Sequence, residues 1–274
     1  MDAVLLQRLA QITEEERELL QGRGVDRALY ASGRAFEVDA AKMLEKGKLM
    51  SIRSHTRFAP FPRHSHNYVE IMYMCRGKTV HRIDGDALVT LEAGELLFLN
   101  RHASHAIQRA DAGDIAVNFI VLPQFFDEAF NMAGMDNVLS RFLLGELYTG
   151  GAAVSYLHFR VREVLPVQNL VENMVWTLVN RQPGARRINQ VTMGLLLLQL
   201  MHYTECIDMS RNGSIRSPMV EAALREIEEN YRAASLTDVA AAFHVGLPYL
   251  SAEVKRATGS TFKELLLHKR LDKA

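Results

Sequence analysis

Between Lys48 and about Pro123 the chain is written in short runs of β-branched and aromatic residues, and on either side apolar residues recur at helical spacing instead. This change of hydrophobic period constrains the fold more than any other feature, because period two buries one face of a strand and period 3.6 one stripe of a helix. The runs are NYVEIMYMC, TVHRI, ALVTL, ELLFLN and IAVNFIVL, with a turn predicted at Asp84 to Asp86 between the second and third. Several short strands at this spacing predict an antiparallel sandwich or small barrel.

The flanks read as helical. In residues 1–47, Leu5, Leu6, Leu9 and Ile12 share a helix face, Glu14 to Leu20 continues the pattern, and a short helix is expected over Val38 to Leu44. After Pro123, helices are expected at Phe125–Ala133, Val138–Leu147, Asn169–Asn180 and Asn189–Cys206. The last carries Leu195 to Leu198, Leu200 and Met201, more apolar surface than one stripe needs. Burial within the chain and packing against a second copy explain it equally well. A polar break at 209–216 reads as a linker, and Ser217-Pro218 reads as a helix start. The fold class is therefore α+β. Its segments are a helical one (1–47), a β-barrel (48–123), a helical relay or dimerisation region (124–208), the linker, and an all-α domain from 217 to 274.

Bulk properties fit this division. A chain of 274 residues suits two domains, and 32 basic residues balance 32 acidic ones, so net charge does not announce a nucleic-acid binder. Cys75 and Cys206 lack a partner motif and read as buried thiols. Glu14, Glu15 and Glu16 interrupt any signal-peptide core, and the apolar run Gly194 to Met201 is too short to span a bilayer. A cytoplasmic protein with no membrane partner is expected.

The sharpest chemical signal is His64-Ser-His66-Asn-Tyr-Val-Glu70 followed by Gly77. On one continuous strand positions 64, 66, 68 and 70 share a face, so two imidazoles and a carboxylate would converge inside the barrel. Gly94 opens a later strand that leads to Asn100, His102 and His105, and His105 is expected to reach the same interior. Residues 64 to 77 resemble the first cupin motif. The second motif is retained at Gly94 and His105, with Asn100, His102 and Arg109 standing where proline, glycine and asparagine are usual. The resemblance implies that His64, His66, Glu70 and His105 hold either an organic effector, such as a sugar or a carboxylate, or a divalent metal. A satisfied polar network in a vestigial barrel uses the same residues. No cofactor is required by the organic-effector reading. His55, Arg57 and Arg63 precede the motif and would suit an anionic ligand, but solvated side chains explain them better.

In the tail, Val220, Leu224, Ile227 and Tyr231 line one face of a helix. Leu236, Val239, Ala240 and Phe243 line the next, and His244-Val245-Gly246 turns into LPYLSAEVKRATG, with Leu250 and Val254 inward. Two short helices across a tight turn predict a helix-turn-helix. Thr258-Gly-Ser-Thr-Phe262 and Arg270-Leu271 at the start of a following helix resemble the AraC/XylS family of transcription regulators. That resemblance implies a cupin-like sensor joined to a DNA-binding domain with two helix-turn-helix units. The sequence ends at Ala274 inside the expected linking helix, so it reads as a shortened regulator whose sensing half is more complete than its DNA-reading half. By the resemblance the DNA-facing residues are Leu247, Pro248, Tyr249, Ser251 and Ala252, with Lys255, Arg256 and Lys263 on phosphates.

The implied function is a sequence-specific, effector-responsive regulator, not an enzyme. Its expected partners are double-stranded DNA, a small molecule, a second copy of the chain and RNA polymerase. The alternative is a metal-dependent cupin enzyme, an oxygenase or isomerase, using His64, His66, Glu70 and His105. A dimerisation module with a purely structural barrel is the third reading.

Overall fold

The computed structural model describes residues 1–274 except 34, 86, 135, 136, 146, 150, 151, 204, 205, 210–217, 244, 259, 273 and 274. The expected linker from 210 to 216, Ser217, Asp86, His244, Gly259, Lys273 and Ala274 therefore lie outside the described residues. The chain forms two compact units, Met1–Asn212 and Gly213–Ala274.

The first unit is built on two sheets. Its strands are β1 (Glu37–Val38), β2 (Met50–Ser54), β3 (Phe61–His66), β4 (Val69–Arg76), β5 (Lys78–Ile83), β6 (Ala87–Glu92), β7 (Leu96–Leu99), β8 (Ser104–Ile107) and β9 (Ile115–Val121). A small pair, β10 (Tyr148–Thr149) and β11 (Ala152–Ala153), precedes β12 (Tyr156–Phe159) and β13 (Ile207–Met209). One sheet has the order β1-β3-β8-β5-β6 and the other β13-β12-β7-β4-β9-β2. Pairing is antiparallel except between β1 and β3. No ladder joins the edge strands of the two sheets among the described residues, so the expected barrel is an open two-sheet sandwich.

The helices explain why β4 and β9 are apolar on both faces. Ile71, Tyr73, Val117 and Phe119 belong to a large core that also holds Val171, Met174, Met193, Leu196 and Leu200. These last five come from α6 (Leu165–Val179) and α7 (Ala185–Met201), which follow the five shorter helices α1 (Ala3–Leu9), α2 (Glu14–Leu20), α3 (Ala40–Met43), α4 (Asp127–Ala133) and α5 (Val138–Leu144). The alternate residues Met72, Met74 and Ala116 pack with Leu97, Leu99, Ile83 and Leu91 between the sheets. Most of α7 is thus consumed within the chain, while Leu195 stays exposed.

Three local expectations change. Strands β12 and β13 fall in the stretch read as helical, and β12 adds to the six-stranded sheet beside β7. Val38 belongs to β1, and the helix there is shorter, with Asp39 capping Ala41 N. The run from His64 to Glu70 is not one strand: β3 ends at His66, the chain bends at Asn67 and Tyr68, and β4 starts at Val69 in the opposite sheet.

The second unit packs α8 (Pro218–Asn230), α9 (Leu236–Ala242), α10 (Leu247–Thr258) and α11 (Phe262–Asp272) around Val220, Ala223, Ile227, Val239, Ala240, Leu250, Val254, Phe262 and Leu266. Leu224, Tyr231 and Leu236 pack at its margin, while Phe243 is exposed. Ser235 caps α9, and Thr261 with Glu264 forms a capping box at α11. No helix among the described residues is long and apolar enough to cross a membrane.

Candidate functional site

A bulge in β3 sets the site. The register with β8 shifts between Phe61↔Ile107 and His64↔His105, so Pro62 and Arg63 both face outward and Phe61, His64 and His66 all face in. His105 lies opposite His64 on β8, their rings 4.2 Å apart. Glu70 comes from the facing sheet, on the inner side of β4, and its Oε2 is 3.4 Å from His105 Nε2. The corner at Asn67–Tyr68 therefore achieves what a continuous strand was expected to do: it brings His64, His66 and Glu70 inward from two sheets.

Two further histidines join them. His55 follows β2 and His81 lies on β5; their rings are 5.6 Å apart, and His81 stacks 6.0 Å from His105. His55, His64, His66, His81 and His105 are all at most 7% exposed. Sequence reading took His55 as solvated, yet it is buried. His81 was missed, although it stands between Thr79 and Ile83 in a strand whose buried positions are those three. A polar residue at an inward register position was the signal. Asn118, inward on β9, was missed for the same reason.

Hydrogen bonds fix how these groups are presented. His64 Nδ1 lies 2.9 Å from Pro62 O and His66 Nδ1 2.7 Å from Tyr68 O. Asn118 Nδ2 donates to Glu70 Oε1 at 2.8 Å, while Asn118 Oδ1 lies 3.1 Å from His55 Nδ1. His81 Nε2 is 2.8 Å from Thr79 Oγ1. Left without a partner are His55 Nε2, His66 Nε2, Glu70 Oε2, His81 Nδ1 and both nitrogens of His105. Buried polar atoms are rarely unpaired, and so many in one chamber point to a group that meets them.

Burial favours neutral imidazoles. It lowers His64 to about 3, with the His105 neighbour adding to the effect, and it lowers His55, His66 and His81 as well. Burial alone would raise Glu70, but the histidines around it, His105 foremost, hold its carboxyl below the usual range.

The donor atoms of His64, Glu70 and His105 lie within 4.8 Å of one another and suit a metal ion; His66 is outside that group. Its ring instead stacks on Tyr68 at 4.9 Å. His64, Glu70, His55 and Asn118 also line a small cleft of about 50 Å³, walled by Tyr30, Phe61, Tyr68 and Arg53. Arg57 takes no part: its guanidinium is clamped by Glu16 at 2.7 and 2.8 Å and by the carbonyls of Ala10, Gln11 and Ala112. Arg63 faces outward to Ser104. Asn100 and His102, the departures from the cupin pattern, anchor the turn before β8. Asn100 Nδ2 donates to Phe142 O and Val154 O, and His102 Nε2 lies 3.1 Å from Gly145 O.

In the second unit α9 and α10 follow each other across a short turn, with Ala240 buried against Leu250 and Val254 in the common core. Leu247, Pro248, Tyr249, Ala252 and Lys255 on α10 are exposed, Ser251 is half-buried, and Lys263 on α11 is exposed. The side chain of Arg256 lies outside those described. Two other cations have structural roles. Lys269 pairs with Glu228 on α8, and Arg270 donates to Tyr231 O and Arg232 O just beyond α8.

Residues 51–130 match the family model of the AraC-like ligand binding domain. A search of curated proteins found no match. Among solved structures, an apo variant of ToxT from Vibrio cholerae strain SCE256 aligns at 13% identity over 84% of this chain and 83% of that one, with TM-score 0.44. The AraC-like transcriptional activator CuxR aligns at 12% identity over 76% of this chain and 67% of that one, with TM-score 0.29. A cupin protein from Bacteroides fragilis aligns at 28% identity over 27% of this chain and 64% of that one, with TM-score 0.23. His55, His64, His66, His81 and His105 all fall within residues 51–130, the stretch that matches the family model of the AraC-like ligand binding domain.

Proposed function

We propose that the chain is an AraC-type transcription regulator that binds duplex DNA through α9 and α10 and responds to a small molecule held between the two sheets. The observation that carries this reading is the coexistence, in one chain, of an AraC-like ligand-binding domain with a polar cleft and a separate helical unit whose α10 leaves Leu247 to Tyr249, Ala252 and Lys255 exposed. Ser251 and Ala252 suit a base edge and a thymine methyl, while Lys255, Arg256 and Lys263 suit phosphates. Two copies would pair through α6 and α7, whose outer residues Trp176, Val191 and Leu195 are exposed apolar groups. The ligand acts by favouring one arrangement of the copies over another. Selection from a random duplex pool by the full chain tests the reading. Enrichment of a common sequence supports it, and an unenriched pool that binds no more tightly than to bare resin contradicts it.

A second reading has one observation in its favour. The convergence of His64, Glu70 and His105 suits a metal-dependent cupin enzyme, in which those three side chains would hold a divalent ion that supplies Lewis-acid chemistry. His66 would then orient substrate rather than bind the ion. Substrate turnover by the purified chain, abolished in His64→Ala, would favour this reading over the regulator.

A further inference from the structure

The start of α7 carries positive charge that nothing in the first unit answers. Its N-cap is Gly184, which has no side chain to accept from the first turn, and no acidic residue stands in that turn. Arg186 N and Arg187 N have no acceptor among the described residues, so the positive end of a 17-residue helix is bare. A pocket of about 270 Å³ lies against this turn, and Lys46 and Lys48, from the loop that enters β2, line it together with Arg186. Neighbouring cations are paired, Arg181 with Glu45 at 4.0 Å and Arg187 with Glu128 at 2.5 Å. Lys46, Lys48 and Arg186 have no acidic partner among the described residues.

A buried amide indicates what the pocket takes. Asn189, which also lines it, is 1% exposed, and Thr177 Oγ1 donates to its Oδ1 at 2.6 Å. That separation suits O–H···O and is short for N–H···O, so the oxygen is the atom facing Thr177. Nδ2 is left for the pocket, and it donates to nothing among the described residues. Buried amide donors are rarely unmet. A free amide, a bare helix N-terminus and three cationic side chains are all donors, and together they suit an oxyanion. They outnumber the two oxygens of a carboxylate and match the three terminal oxygens and near-double charge of a phosphate monoester. Met50, Phe125 and Leu178 add an apolar wall that would cover a small organic body. We propose that this pocket binds the phosphate group of a small phosphorylated molecule, with Asn189, the first turn of α7, Lys46, Lys48 and Arg186 holding its oxygens. The pocket shares no lining residue with the cleft between the sheets, and the proposal does not rest on the regulator reading.

Isothermal titration calorimetry of the full chain with phenyl phosphate, inorganic phosphate and benzoate tests it. Saturable binding of phenyl phosphate at one site is expected. It should be several-fold tighter than inorganic phosphate, which leaves the apolar wall uncovered, and than benzoate, which has one charge and two oxygens. Arg186→Gln, and Lys46→Ala combined with Lys48→Ala, each weaken phenyl phosphate by about fivefold or more. Asn189→Asp, which sets a carboxylate where the free amide stood, abolishes binding. Arg82→Gln removes an exposed cation on β5 and leaves binding unchanged. Circular dichroism identifies any variant that fails to fold, and the exposed Arg186→Gln keeps the test open if Asn189→Asp does. A wild-type chain that binds neither phosphate compound, or folded pocket variants that bind like the wild type, would overturn the site. Benzoate binding as tightly as phenyl phosphate would overturn the phosphate class, and inorganic phosphate doing so would overturn the organic ligand. Displacement of phenyl phosphate by random duplex DNA would assign these cations to nucleic acid instead and overturn the small-molecule reading of the pocket.

Discussion

A histidine whose Nδ1 faces a backbone carbonyl has only one neutral form available, and this constraint ties His64 to Pro62 and His66 to Tyr68. Long-range proton–nitrogen correlation spectra of the metal-free chain at neutral pH should therefore show the Nδ1–H tautomer for His64, His66 and His55. The Nε2–H form at any of the three would break the donor accounting there. His64, His66, Glu70 and His105 were legible in the sequence because they sit in a recognisable spacing. His55, His81 and Asn118 were not, because each is a lone polar residue with no motif spacing around it. Arg57 was misread for a related reason: its partner Glu16 lies in α2, distant in sequence. Burial alone would raise the Glu16 carboxyl, but hydrogen bonds and charge from Arg57, with Thr13, hold it below its ordinary value of 4.5. A lowered carboxyl contributes stability that is present above pH 4.5 and is lost as pH falls through the lower folded value. Glu16→Gln should cost about 3–5 kcal/mol at neutral pH by stranding a buried guanidinium. It should also flatten the acid limb of the stability curve, as urea unfolding at several pH values would show. An unchanged acid limb would contradict the assignment.

Among the elements, β4 and β9 carry the period-two logic furthest. Odd-numbered positions face the helices, while Glu70, Met72, Met74, Ala116 and Asn118 face the sandwich interior. That alternation was visible in the sequence; the corner at Asn67–Tyr68 was not, because no glycine or proline marks it. Likewise β12, four residues long, lacks the length and turn signals that distinguish a strand from the helices around it. The two motif glycines have clear duties. Gly77 has φ of 81° and a side chain there would approach Asp114 Cα within 3.0 Å; Gly94 has φ of 85° and backs onto Arg162. Gly77→Ala should destabilise the first unit by about 1–3 kcal/mol in chemical unfolding. A neutral effect would mean the turn relaxes without cost. For α10, Lys255→Ala should weaken binding to all duplexes alike and reduce the salt dependence of affinity by about one unit of slope. A change confined to one sequence would instead place Lys255 at a base edge.

At the scale of the whole molecule, the boundary between the two units falls within the polar break at 209–216, while the changes of hydrophobic period at 48 and 123 lie inside the first unit. The two open sheets in place of a barrel were not legible in the sequence, because alternation fixes which face of a strand is buried but not whether edge strands meet. The first unit buries a cluster of unpaired histidine and glutamate atoms between its sheets, and the second exposes one helix face with cations beside it. Neither feature contributes to the stability of its own unit. Unpaired buried groups cost free energy, and exposed Leu247 and Tyr249 forgo burial. Both are accounted for if the chain couples a ligand to DNA. The most direct test is fluorescence anisotropy of the full chain on a duplex recovered by selection, with and without a small molecule shown by equilibrium dialysis to bind the first unit. The account predicts a several-fold change in affinity in the wild type that disappears in His64→Ala. Identical DNA affinity with and without that molecule, in a chain shown by dialysis to have bound it, would contradict the coupling.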